Sequence, residues 1–115
     1  MIISHINKMI AGWFIGDFEP SLLRTKDFEV GFKFHKEGEK WPIHVHKIAT
    51  EYNFLISGTM RIQGRLLTDG DLFIIPANEI SDPEFLTNCQ VITIKVPSVI
   101  GDKYEINPKL LGRIE

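Results

Sequence analysis

From Phe28 onward the chain alternates: Phe28, Val30, Phe32 and Phe34 are separated by Glu29, Gly31, Lys33 and His35. Successive side chains of an extended strand point to opposite faces, so this period of two marks a half-buried strand. Short runs rich in β-branched and aromatic residues follow (YNFLI, MRI, DLFII and QVITIKV), and Gly58, Gly64 and Gly70 punctuate them at the close intervals of turns. That rhythm predicts an all-β sandwich or barrel. With 115 residues the chain reads as one domain, residues 1–115, long enough to enclose a core without disulfides or a structural metal. Only the first dozen residues compete, with Ile2, Ile6, Met9 and Ile10 at helical spacing, and they read as either a helix turn or an edge strand.

The segment GEKWPIHVHKIATEYNFLISG, residues 38–58, holds two of the chain's four histidines. On a strand, His44 and His46 share a face while Val45 takes the other, so both imidazoles reach one point. The four residues Lys47–Thr50 suit a hairpin connection that brings Glu51 back beside His46. Two imidazoles and a carboxylate form an N,N,O set that suits a divalent transition metal and leaves coordination positions open for water or substrate.

Gly38, five residues, His44, one residue, His46, four residues, Glu51, six residues and Gly58 match every fixed position of the first motif of the cupin superfamily. The second motif begins after Thr59–Asp69 with Gly70, DLFII and Pro76, but Asn78 stands where a glycine is usual and Ser81 where the last metal-binding histidine is expected. The chain therefore resembles a small cupin over residues 30–97. The resemblance implies an antiparallel jelly-roll barrel, with a motif-bearing core at about 28–97, and a metal (manganese, iron, zinc or nickel) held inside it by His44, His46 and Glu51. Water, substrate, or Ser81 through a water would complete the ligand set, whereas Asp82, one residue on, points out of the barrel. Burying an ionised Glu51 without a cation is costly, which favours a retained metal.

Parity from Glu51 puts Asn53, Leu55 and Ser57 inside, with Met60 and Ile62 lining the cavity opposite. Asn53, Ser81 and Trp41, the last at the barrel mouth, are the candidate ligand-binding residues. His35 alternates with Phe32 and Phe34 and is expected outside if those phenylalanines are inside. Arg24, Lys26, Lys33 and Lys36 read as a solvated face. No residue is assigned a catalytic role. The resemblance implies either a sugar or sugar-phosphate isomerase or epimerase acting on a small polar molecule, or an iron(II)-dependent dioxygenase, or a barrel that binds a small molecule without chemistry.

Charge and composition limit the partners. Thirteen Lys and Arg against 15 Asp and Glu give a net charge of −2, which provides no field for nucleic acid or anionic lipid. No apolar run approaches the roughly 20 residues of a membrane span, no signal peptide is evident, and Cys89 is a lone cysteine that reads as a small buried hydrophobe. A cytoplasmic setting follows. The segment 1–16 carries Ile2, Ile3, Ile6, Met9, Ile10, Trp13, Phe14 and Ile15, more than it can hide by itself, and together with the resemblance this predicts a homodimer with that segment in or beside the interface. The tail after Pro97 loses the alternation and is expected to pack over the barrel or onto a neighbouring subunit.

Overall fold

The computed structural model describes residues 1–107; the last part of the expected tail packing, residues 108–115, lies outside the described residues. Apart from a 3-10 turn at Ile6–Lys8, the regular elements among the described residues are strands: β1 (Trp13–Ile15), β2 (Glu29–His35), β3 (His44–Val45), β4 (Thr50–Ser57), β5 (Met60–Ile62), β6 (Arg65–Leu67), β7 (Leu72–Ile75), β8 (Glu84–Phe85), β9 (Cys89–Val96) and β10 (Tyr104–Glu105). The first dozen residues thus hold the helical turn, and the edge strand begins just after them at Trp13. No helix of the described residues is long and apolar enough to cross a membrane.

The strands form three antiparallel sheets, ordered β1-β2-β9-β4-β7, β6-β5-β8 and β10-β3. Placing β9 between β2 and β4 requires long crossover connections, as a jelly roll does. Three glycines of the two motifs sit at turns with positive φ: Gly38 at 86°, Gly58 at 109° and Gly70 at 88°. A Cβ on Gly58 would also collide with the Asn88 carbonyl and come within 2.6 Å of Cys89 Sγ. Asn78 takes φ 68° where the motif usually has glycine, a conformation asparagine tolerates better than most residues.

Register fixes which side chains share the inner face. Glu29, Lys95, Glu51 and Ile75 form one row across β2, β9, β4 and β7. Gly31, Thr93, Asn53 and Phe73 form the next row, followed by Lys33, Val91 and Leu55, and then by His35 with Cys89. The inner face is therefore polar at one end and apolar at the other. Leu55, Cys89 and Val91 of the apolar rows and Ile75 beside Glu51 pack with Met60, Ile62 and Phe85 into the core, with Trp41, Leu67 and Phe73 against it. Burying each large member stabilises the fold by about 1.5–3 kcal/mol.

This register overturns the expected placement of β2. Phe34 is 53% exposed and His35 is buried, so the phenylalanines face outward and His35 inward. Lys33, expected on a solvated face, turns inward with it. Alternation distinguishes two faces of a strand but does not say which one meets the interior, and here the interior face is the polar one. The hairpin expected at Lys47–Thr50 is also absent. β3 pairs with β10, as Tyr104↔Val45 and Glu105↔His44, whereas β4 lies in the large sheet, so the connection carries the chain from one sheet to another. Asp102 secures that corner, accepting hydrogen bonds from the backbone N–H groups of Lys47 (3.0 Å), Ile48 (3.1 Å) and Ala49 (2.9 Å).

Candidate metal and ligand site

The barrel interior holds a cavity of about 180 Å³. His44, His46, Glu51, Asn53, Ser81 and Trp41, the residues singled out in the sequence, all line it. His44 is held on β3 by two backbone hydrogen bonds with Ser81: its N–H donates to the Ser81 carbonyl (3.0 Å) and its carbonyl accepts from the Ser81 N–H (2.8 Å). Ser81 therefore faces the cavity across from His44, and both are buried. Asp82 accepts from the Gln63 N–H at 2.7 Å, away from the cavity.

The two imidazoles meet edge to face with centroids 5.2 Å apart. His44 Nδ1 lies 3.0 Å from the Pro42 carbonyl. A carbonyl oxygen only accepts, so Nδ1 carries the proton and a neutral ring keeps its lone pair on Nε2. Burial lowers the pKa of His44, and burial aided by the Lys95 charge pushes His46 down to about 4. Both rings are therefore neutral, the state in which imidazole ligates a metal. Glu51 Oε2 stands 3.7 Å from His46 Nδ1, too far for a hydrogen bond.

Among the described residues no group of three or more His, Cys, Asp or Glu side chains is arranged to hold an ion. The donor set nevertheless fits a divalent transition metal in kind: two neutral imidazoles, with a carboxylate beside one of them. Two buried side-chain polar atoms of the described residues lack a hydrogen-bond partner, His46 Nε2 and Asn53 Nδ2, and both residues line this cavity. Such an atom costs about 1–3 kcal/mol unless something satisfies it. Asn53 Oδ1 is already taken, accepting from Thr93 Oγ1 at 2.8 Å, so the side chain is oriented with its amide nitrogen unpaired.

Sequence reasoning missed a second group in the cavity wall. His35 stacks on Phe85 (centroids 3.9 Å) and its Nδ1 pairs with Glu39 Oε2, which also accepts from Trp41 Nε1 at 2.7 Å. Burial lowers the His35 pKa against the opposing pull of Glu39. A neutral His35 with Nδ1–H on the carboxylate keeps its lone pair on Nε2. The same parity that links Lys33 to His35 could have paired them from sequence, but Glu39 and Trp41 reach them only through the turn after β2. Cys89 is buried, its thiol donating to the Thr87 and Thr59 carbonyls, and burial raises its pKa, which suits an inert packing residue.

No protein-family model and no curated protein matches the sequence. Solved structures do match in fold. KdgF from a Halomonas species aligns with TM-score 0.60 at 21% identity, over 66% of this chain and 74% of that one. An RmlC-like cupin from Shewanella frigidimarina aligns with TM-score 0.60 at 18% identity, over 66% and 71%. The DMSP lyase DddQ from Ruegeria pomeroyi aligns with TM-score 0.68 at 17% identity, over 83% of this chain and half of that one. At these identities the likeness concerns architecture. The chain has the cupin fold, an antiparallel jelly-roll barrel with its polar cavity inside.

Proposed function

We propose that the protein is a small cupin that holds a divalent transition metal through His44, His46 and Glu51 and binds a small polar molecule in the barrel. The observation that carries this reading is the pair of orphaned atoms, His46 Nε2 and Asn53 Nδ2, in one cavity of a barrel whose other described buried side-chain polar atoms have partners. A bound metal would satisfy the first and a ligand oxygen the second. When present, the metal would act as a Lewis acid on a carbonyl or diol oxygen. His35, oriented by Glu39, would move a proton beside it, and this favours isomerisation or epimerisation of a sugar or sugar phosphate over binding without chemistry. One fold neighbour, DddQ, is a DMSP lyase, which supports chemistry in such a barrel. The protein would work in a reducing cytoplasm, as its single buried cysteine suits, and as a homodimer.

Equilibrium dialysis against manganese, iron(II), zinc and nickel tests the site. The wild type should bind one equivalent of at least one of these metals, and the double variant His44→Ala, His46→Ala should bind none while keeping its strand circular dichroism. Full stoichiometric binding by the double variant would place the metal elsewhere. Glu51→Ala should weaken binding by about tenfold or more.

A further inference from the structure

The cavity carries a positive charge that the chain as a whole does not. The formal net charge is −2, yet Lys33, Lys95 and Lys103 all line the cavity and Glu51 is the one carboxylate among its lining residues. Among the described residues none of these lysines forms an ion pair. Their ammonium groups rest on indole rings instead. Lys33 Nζ and Lys95 Nζ lie 4.7 and 4.9 Å from the Trp13 centroid, and Lys103 Nζ lies 4.1 Å from that of Trp41. Lys33 also donates to the Ala11 carbonyl at 2.6 Å. A cation–π contact of about 0.5–2 kcal/mol orients an ammonium group but leaves its charge in place.

Three separate parts of the chain bring these groups together: β2, β9 and the segment entering β10. Trp13 reaches them from β1 by lying over Gly31, where a Cβ would come within 2.7 Å of the ring. Burial lowers the pKa of both Lys33 and Lys103, and the neighbouring Lys95 charge lowers both further. Like charges are thus crowded in a partly desolvated wall, an arrangement that an anion seated among them would relieve. If Glu51 serves a metal, even that carboxylate is engaged elsewhere.

We propose that Lys33, Lys95 and Lys103 bind the charged end of the ligand, so that the cavity takes a small organic anion bearing carboxylate or phosphate oxygens. This rests on the reading of the barrel interior as the ligand site and narrows what that site accepts. Asn53 Nδ2 adds a neutral donor for a second ligand oxygen, and Trp13 and Trp41 form apolar walls beside the ammonium groups.

The test uses full-length protein stripped with chelator and dialysed, titrated at low salt with malonate, inorganic phosphate and glucose, and followed by calorimetry and tryptophan fluorescence. At least one anion should bind about tenfold or more tightly than glucose and weaken as salt is raised. Lys33→Met, Lys95→Met and Lys103→Met should each weaken that anion by about tenfold, and arginine at the same positions should retain binding. Lys36→Met, on the exposed turn, should change nothing. A preference for malonate assigns a carboxylate ligand, and a preference for phosphate assigns a phosphate ester. The proposal fails if neither anion outcompetes glucose, or if a Lys95→Met protein with wild-type circular dichroism and melting binds the anion undiminished. Metal dialysis on the same preparation separates the two readings: metal binding without anion binding removes only the anion, and anion binding without metal removes only the metal.

Discussion

Ser81 is a buried hydroxyl placed where the fold could hold a larger ligand. It is 3% exposed and its backbone is bonded in both directions to that of His44, so its side chain shares the inner face with the first imidazole. Ser81→His should therefore add a donor to the proposed metal set and raise metal affinity by about tenfold, or 1.4 kcal/mol, in the dialysis described above. The extra volume in a closed wall should cost about 1–3 kcal/mol of stability in the metal-free protein. Unchanged affinity in a folded variant would mean that the side chain does not reach the metal. The shared face of His44 and His46, and the inward turn of Asn53 two residues after Glu51, were legible because each follows from strand parity over a few residues, whereas Glu51 was reached through a hairpin that the fold replaces with a sheet-to-sheet corner and Ser81 through the spacing of the second motif. Lys33 and His35 were misplaced because parity gives two equivalent answers, and apolar phenylalanines made the wrong one more attractive. Lys95 and Lys103 were beyond reach: their approach to Trp13 and Trp41 depends on pairing between strands far apart in sequence.

At the scale of elements, the corner between β3 and β4 decides whether His46 and Glu51 face one another. Its three successive N–H groups converge on the Asp102 carboxylate, a compact anion site that replaces the ladder bonds a hairpin would have supplied. Those bonds hold the Asp102 pKa below its ordinary value of 3.8, in spite of burial. A carboxylate with a depressed folded pKa stabilises the protein above its unfolded pKa, and that contribution is lost as pH falls through the folded value. Asp102→Asn keeps an acceptor oxygen but removes the charge, so it should lower stability at pH 7 by about 1–3 kcal/mol. Urea melts at descending pH should show the gap between wild type and variant closing below the ordinary value of 3.8. A gap that stays constant to the lowest pH would remove Asp102 from that role. The variant should also bind metal more weakly, because the corner it loosens joins two of the proposed ligands. The strands at either side of this corner were readable in the sequence. Its true course was not, because β3 takes its partner from β10, more than fifty residues away, and the tail that supplies β10 has no alternation to announce it.

At the scale of the whole molecule, the large sheet carries polar side chains within the barrel and an apolar surface on its outside. The inner face carries Lys33, His35, Glu51, Asn53, Thr93 and Lys95, whereas Phe34, Tyr52, Phe54, Ile56, Leu72 and Ile74 are exposed on the outer face at 36–74%. Phe54 sits within that face, directly between Ile92 on β9 and Leu72 on β7. A contiguous apolar surface across hydrogen-bonded strands is what monomers avoid and interfaces use. A second copy is the occupant we expect, since two such faces are self-complementary about a two-fold axis. The N-terminal residues Met1, Ile2, Ile3 and Ile10 are also exposed, so the segment expected at the interface remains available to it. Sedimentation equilibrium on three proteins separates the contributions. The full-length chain should be a dimer, and Phe54→Glu should be monomeric with unchanged strand circular dichroism, because a charge within an apolar interface is left desolvated and unpaired. A chain lacking residues 1–12 should dimerise more weakly if that segment joins the interface, and equally well if the sheet alone forms it. A monomeric full-length protein would leave the outer face without its partner, and a dimeric Phe54→Glu would move the interface off the sheet.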